Sequence, residues 1–481
     1  LKIENLKNMP KKEKDNKKEL LQAPKGTRDI LPDDAHIWQK IEEKARAVAE
    51  FYGFQPIRTP HIEHAEIFAA TLGEVTDVVE KQMYSFKTRG GDHLALRPEG
   101  TVPIMRAYIE HGMKTWPQPV MLYYHGSYFR HEKPQHGRYR EFGQFGVEIL
   151  GDESATSDAV IIRVLTLILK EIGVKNYVVR INTLGDKECR AIYRKELVNY
   201  LRKQNNYLCK DCKNRLKVNP LRVLDCKNES CVEVKEKAPQ MIEHVCAPCK
   251  AHFKELLVFL DEMKIPYELD HYLVRGLDYY SRTVFEIMIE GGKEMVKEAV
   301  IEKQPNSPAG EEEAGAVAEK EIVEEKPEKD DSLWSLAMGG GGRYDYLGQA
   351  LANRPVPAAG GALGLDRLAE AAKSLGLSLT KRKQPKIFLI QLGPEAKRKS
   401  FSIVEGFREA GMQVAKSFSR DSISSQLKIA AKLGVSYTII IGQKEAFDNT
   451  AIVRFMDSGI QETVIMDHLI DYLKEKIKKH A

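Results

Sequence analysis

The chain has 481 residues, 42% of them hydrophobic and 30% charged, with a formal net charge of +5. Its length suits about two to four domains, its composition excludes a fibrous or wholly disordered chain, and its mild charge permits nucleic-acid binding without arguing for it. The most apolar run, VIIRVLTLILK at 160–170, is too short to span a bilayer and is broken by Arg163, so no membrane association is expected.

Residues 1–22 are rich in Lys mixed with acids and lack the apolar core of a secretory signal, which predicts a solvated, disordered tail and a cytoplasmic protein. Residues 33–52 carry Ile37, Ile41, Ala45 and Val48 at three-to-four spacing, an amphipathic helix with acids at its N-terminus. FQPIRTPHIE follows as an extended piece, kept out of helix by Pro56 and Pro60. A strand is predicted at 93–97, a turn at PEG, a helix at TVPIMRAYIEHGM, two strands flanking a polar loop at 120–150, and another strand at 174–185.

From 186 to 262 the sequence is helical in pattern, charged and rich in cysteine. Strand character returns in YELDHYLVRGLDYYSRTVFEIMI, where LVRGLDYYSRTVFEI reads as one strand although it carries Arg275, Asp278, Tyr279, Tyr280 and Arg282. Residues 291–332 have too few large apolar side chains to offset the entropy of ordering and are expected to form a disordered insertion. GGGGRYD reads as a Gly-rich turn, LGLDRLAEAAKSL as a helix and KRKQPK (381–386) as a linker. Over 385–481 five strands alternate with helices, the pattern of a small α/β domain with a mostly parallel sheet.

Chemistry-bearing residues gather in four places. If 122–130 and 140–150 are antiparallel, Arg130 shares a face with Tyr128 and Gly126, while Gln144, Gly146 and Glu148 share a face of the return strand. Gly146 would then leave a hollow between an amide and a carboxylate. The connecting loop carries His131, Glu132, Lys133, His136 and Arg138; a solvated charged hairpin would look the same. Glu99, Gly100 and Thr101 stand where a strand hands over to a helix, with Thr101 also suited to capping it. Arg367 lies near a helix N-terminus, a place that suits phosphate.

Together these segments resemble class II aminoacyl-tRNA synthetases, and specifically the histidyl-tRNA synthetase family, from about Ala23 to the C-terminus. FRHE…GRYREF resembles the second class signature, GALGLDRL the third, and the segment around Pro60 the first, which lies at the dimer interface; LVRGLDYY and GGGRYD resemble the two histidine-specific segments. The resemblance implies an α/β (α+β) fold: an antiparallel-sheet catalytic domain (23–185 and 263–380), a helical insertion domain (186–262) and an α/β anticodon-binding domain (385–481). It implies a homodimer that forms histidyl-adenylate from L-histidine and ATP with Mg2+, then transfers histidine to tRNA-His. Arg275 and Arg130 would bracket the α-phosphate as the catalytic pair, Arg275 also touching the bound histidine, and Arg367 would hold the γ-phosphate. Glu132 would help fix adenine, and Arg138 and Tyr139 belong to a loop that meets ATP or the acceptor stem. Glu99, Thr101 and Gln144 would receive the α-ammonium, Glu148 and Tyr280 the imidazole, and Tyr279 would shape the wall. Two alternatives carry the same scaffold: a synthetase-like regulatory subunit of ATP phosphoribosyltransferase, which typically lacks the C-terminal domain, and a prolyl or threonyl enzyme, against which LVRGLDYY and Glu148 speak.

All seven cysteines fall within 186–262; Cys189 stands near its start, and the other six have C-x2-C, C-x4-C and C-x2-C spacing. In a cytoplasmic protein such pairs favour structural Zn2+ over disulfides. Six candidates exceed four ligands; the two C-x2-C pairs, Cys209, Cys212, Cys246 and Cys249, are the expected set.

Overall fold

Helix Pro32–Phe51 begins with proline at its first position and Asp33 and Asp34 in its first turn, where a missing N–H costs nothing and negative charge complements the helix dipole. Its Ile41, Ala45, Val48 and Ala49 are buried. Each large apolar side chain so buried contributes about 1.5–3 kcal/mol. The computed structural model describes residues 21–72, 78–290, 336–377, 385–417 and 422–479. The tail at 1–22, the insertion at 291–332 and the linker at 381–386 lie wholly or largely outside the described residues. The chain divides into two units, at 1–379 and 380–481.

In the first unit the strands are β1 (Gln55–Pro56), β2 (Ile62–His64), β3 (Ser85–Lys87), β4 (His93–Leu96), β5 (Val120–Phe129), β6 (Glu141–Leu150), β7 (Tyr177–Thr183), β8 (Tyr267–Leu269), β9 (Ser281–Ile289), β10 (Gly339–Arg343) and β11 (Ala358–Gly364). Eight of them form one sheet in the order β1-β5-β6-β11-β10-β9-β7-β8. Pairing is antiparallel throughout its centre and parallel only at β1/β5 and β7/β8. A small sheet, β2-β4-β3, stands apart. Alternation sorts β6 by face: Phe145, Val147 and Ile149 enter a core shared with helices Pro32–Phe51, Ala155–Ile172 and Leu365–Ser374. Gln144, Gly146 and Glu148 take the opposite face, as the sequence pattern requires.

Two expectations fail in this unit. LVRGLDYY is not strand: β9 starts only at Ser281, and 270–280 is irregular. Its backbone is satisfied from outside the ladder, because the Asn182 amide donates to the carbonyls of His271 and Leu273, both at 3.1 Å. A positive φ of 49° at Arg282 marks the change of conformation. Conversely, GGGGR is not a turn but the central strand β10, paired on both sides.

Between β7 and β8, helices Lys187–Lys203, Lys210–Val218, Glu229–Glu236 and Ala247–Glu262 build the insertion. The last returns to the sheet, burying Phe253, Leu256 and Leu260 in the helix-side core. In the second unit β12 (Ile387–Gln391), β13 (Val414–Lys416), β14 (Tyr437–Ile441), β15 (Thr450–Phe455) and β16 (Gln461–Ile465) form a sheet ordered β13-β12-β14-β15-β16. The expected mostly parallel sheet is in fact mixed: β12 pairs in parallel with β13 and β14, but β15 is antiparallel to both its neighbours. Short connections force this, since β14, β15 and β16 follow one another without room for a full crossover. Both faces of β12 are covered, Ile387 and Leu389 on one side and Phe388 and Ile390 on the other, which explains its uninterrupted apolar run. Among the described residues no helix is long and apolar enough to cross a membrane.

Candidate active site

A cavity of about 520 Å³ opens over the sheet face opposite the helical layer. Its walls include Glu99, Gly100, Thr101, Arg130, Glu132, Arg138, Tyr139, Gln144, Arg275, Tyr279, Tyr280 and Arg367, so segments hundreds of positions apart in sequence converge there. Gly339, Gly340, Gly361 and Gly364 of β10 and β11 line the cavity, while Gly360, next to them, does not. A methyl at Gly360 would overlap the Glu148 carboxylate, and one at Gly340 would come within 2.8 Å of Arg275 Nη1. Any other residue at these β10 and β11 positions would displace the polar groups that lie across the sheet.

At one end sit carboxylates and phenols. Glu99 accepts from the backbone N–H of Thr101 at 2.8 Å and of Val102 at 2.7 Å, so the carboxylate rather than Thr101 caps the helix Thr101–Glu110. Burial raises the Glu99 pKa, and those two N–H donors oppose the rise. Tyr279 donates to Glu99 at 3.3 Å. The Thr101 hydroxyl donates to Glu148 at 2.9 Å.

Glu148 itself departs from expectation. It is fully buried and does not reach the cavity wall; Tyr124 covers it, donating at 3.1 Å, and Tyr344 donates at 2.5 Å. The hollow expected over Gly146 is filled by the ring of Tyr124, its partner across the strand pair. Burial, with the charge of Glu99 adding to it, pushes the Glu148 pKa up to about 8 against the three hydroxyl donors. Tyr124, which lines the cavity, was missed from the sequence, although its place opposite Gly146 is the signal that could have found it.

The other end is cationic. Arg130 donates from Nε to the Pro98 carbonyl at 2.9 Å, and its guanidinium lies 5.3 Å from the Phe142 ring centre. Glu132 stands between Arg130 and Arg138, at 3.9 Å and 3.8 Å. Arg367 donates to the Gly137 carbonyl at 3.0 Å and to that of Ala337. Burial and then the neighbouring charge of Arg138 pull the Arg367 pKa down to about 10, with Arg130 adding and Glu132 opposing. Such crowded guanidiniums make a ready receptor for a polyanion. Arg275 pairs with Glu286 at 2.5 Å; burial works to lower its pKa, but Glu286 and Tyr280 outweigh burial and leave it raised.

A second unforeseen residue, Arg28, pins the loop. It binds Asp366 at 2.8 Å, Glu370 at 3.2 Å and the Tyr139 hydroxyl at 3.0 Å, with its guanidinium 4.1 Å from the Tyr139 ring centre. Tyr139 donates onward to Glu370 at 2.5 Å, so its hydroxyl is already engaged.

The cysteines also differ from expectation. None is disulfide-bonded, and the two C-x2-C pairs do not converge. Cys209 and Cys212 group with Cys226 and Cys231; Cys246 and Cys249 group with Asp186 and Cys189. Within each group the candidate ligand atoms lie within 4.8 Å of one another. The reason is packing: helix Ala247–Glu262 must dock on the catalytic core, which carries its N-terminal cysteines to the entrance of the insertion and away from Cys209.

Comparison with known proteins fits this arrangement. The family described as histidyl-tRNA synthetase matches residues 26–299, and an anticodon binding domain matches 386–476. The chain is 39% identical to the histidine--tRNA ligase of Caldicellulosiruptor saccharolyticus and 38% identical to that of Dehalococcoides mccartyi, covering 95% of this chain and 100% of each relative. It also matches the crystal structure of apo S. aureus histidyl-tRNA synthetase at 31% identity with a TM-score of 0.71, over 94% of this chain and 99% of the other.

Proposed function

Because the chain belongs to the histidyl-tRNA synthetase family, we infer that its cavity activates L-histidine with ATP and passes it to the 3′ end of tRNA-His: the protein is a histidine--tRNA ligase. The observation that carries this reading is the convergence of Arg130, Arg275 and Arg367 on one cavity beside the Glu99, Tyr124 and Tyr279 cluster. The regulatory-subunit alternative is not favoured, since the relatives matched over their full length are named as ligases and the chain retains the anticodon-binding domain.

In activation a histidine carboxylate oxygen attacks the α-phosphorus, and the bond to the β-phosphate oxygen breaks to release pyrophosphate. Negative charge grows on the α-phosphoryl oxygens, so fixed cations serve better than covalent chemistry. Arg275 and Arg130 would bracket that centre and Arg367 would hold the γ-phosphate. Glu132 would help fix adenine, and Arg138 and Tyr139 would belong to a loop that meets ATP or the acceptor stem. Glu132 and Glu286, hard oxygen donors that line the cavity, would hold the magnesium that accompanies the nucleotide, which when bound would supply positive charge to the departing pyrophosphate.

Glu99, Thr101 and Gln144 would receive the α-ammonium, and Tyr279 and Tyr280 would frame the imidazole, with Gly100 leaving room at the turn. Glu148 would act through Tyr124 and Tyr344, orienting phenols rather than touching substrate. A site lined by hydroxyls and carboxylates rejects apolar amino acids, whose entry would leave those groups unpaired. In the second step the terminal ribose hydroxyl of tRNA attacks the adenylate carbonyl and AMP leaves.

A homodimer is supported by exposed Ile62 and Phe86 on the small sheet, in and beyond the segment that resembles the first class signature. The test is histidine-dependent exchange of pyrophosphate into ATP, repeated with proline and threonine. Exchange with histidine alone is expected; its absence in folded protein refutes the reading.

A further inference from the structure

The helix Lys210–Val218 is nine residues long, and Cys212 is its only buried side chain. Helix Glu229–Glu236 buries only Cys231 and Val234. Apolar burial of this extent does not hold two helices in place. What they share is a cluster of four thiols, Cys209, Cys212, Cys226 and Cys231, all with sulfurs within 4.8 Å of one another. A tetrahedral ion with bonds of about 2.3 Å needs sulfurs about 3.8 Å apart, and Cys209 and Cys226 stand at 3.9 Å. Backbone N–H groups already point at two of the sulfurs, from Cys209 to Cys231 at 3.3 Å and from Asn228 to Cys226 at 3.5 Å. Such donors stabilise thiolates that ligate a metal.

We propose that Cys209, Cys212, Cys226 and Cys231 form a tetrathiolate zinc site that braces the active-site loop bearing Arg275. The four thiols would release their protons to solvent as the ion binds. The brace runs through residues between the second and third ligands. Asn219, which ends helix Lys210–Val218, donates to both carboxylate oxygens of Asp278 at 2.8 Å and 2.7 Å. Arg222 Nη1 donates to the Arg275 carbonyl at 3.0 Å. Asp225 and Cys226 themselves reach the cavity wall. Asn219 and Arg222 are therefore positioning residues, and this role rests on the reading of the cavity as the histidine-activation site.

The test uses full-length protein purified without chelators. Replacing Cys209 and Cys212 together with serine is expected to remove one equivalent of zinc per chain relative to wild type, whatever the Asp186 group holds. The cobalt-exchanged wild type should show the intense visible bands of a tetrahedral tetrathiolate, and the double variant should lose that contribution, keeping at most what the Asp186 group supplies. Amide hydrogen exchange at 270–280 should quicken in the double variant while that of 385–481 is unchanged, and kcat/KM for histidine activation should fall about 10- to 100-fold. Asn219→Ala should lower kcat/KM similarly yet keep its zinc, which preserves the test should the cysteine variant not fold. Wild type holding less than about half an equivalent, or a double variant with undiminished zinc, overturns the site. Zinc loss with unchanged exchange at 270–280 overturns the brace. Zinc present without histidine-dependent exchange would overturn the functional reading and leave the metal site standing.

Discussion

Replacing Arg275 with alanine isolates the chemistry of the cavity from its folding. The guanidinium is held before substrate arrives: Nη1 meets Glu286 at 2.5 Å, and the residue's own carbonyl is gripped by Arg222 at 3.0 Å. Removing one such preorganised donor from a transition state costs about 2.7–4 kcal/mol, or about 10²–10³ in rate. The stability cost should be small, since Arg275 lies in the irregular 270–280 segment and its partner Glu286 keeps 30% side-chain exposure, so water can replace the ion pair. Pyrophosphate exchange at saturating histidine and ATP reads the rate, and thermal melting of the same sample reads the fold. Arg275→Lys keeps the charge without the planar fork and should recover part of the loss. An alanine variant within about threefold of wild type, or one that no longer folds, would refute the assignment and return Arg275 to a structural role.

Arg343 is wholly buried and binds Asp158 at 3.1 Å, Asp345 at 3.1 Å and the Asp152 carbonyl at 2.8 Å. Arg343→Met leaves Asp158 beside His252 in the core without its main cation and should lower unfolding free energy by about 3–5 kcal/mol in urea titration. Arg28→Ala removes one of the two partners of the Tyr139 hydroxyl and loosens the 131–140 loop; it should raise KM for ATP about tenfold in the exchange assay and, by leaving Asp366 and Glu370 buried without their cation, lower the melting temperature. Glu148 has a pKa raised to about 8 in the fold, so its protonated form is favoured; the stability it contributes is full below about 4.5 and is lost as pH rises through about 8. The stability advantage of wild type over Glu148→Gln should therefore shrink between pH 5 and pH 8, by at most about 1.4 kcal/mol per pH unit. A gap that stays constant or widens on denaturant titration would contradict a neutral Glu148.

Features decided locally were legible in the sequence. Helix Pro32–Phe51, the β5–β6 hairpin and the strand pattern after 385 follow from periodicity and turn chemistry within each segment. Arg130, Arg275 and Arg367 were legible through the segments that resemble the histidyl-tRNA synthetase family, and the fold brings them to one cavity. Features decided by distant partners were not. LVRGLDYY has the apolar shoulders of a strand, but Asn182, Asn219 and Arg222 satisfy its polar groups from other elements. The face of Glu148 was readable from alternation, whereas its depth depends on Gly360 in another strand and on Tyr124 closing over it. Cysteine spacing gave the pairs, but which pairs meet was set by the docking of helix Ala247–Glu262.

Glycine on the cavity wall limits how this pocket can be redesigned. Enlarging a binding site usually means trimming side chains, but at Gly340 there is nothing left to trim, and any addition collides with Arg275. An engineer seeking to enlarge the pocket would have to trim side chains elsewhere on its wall, such as Tyr279 and Tyr280.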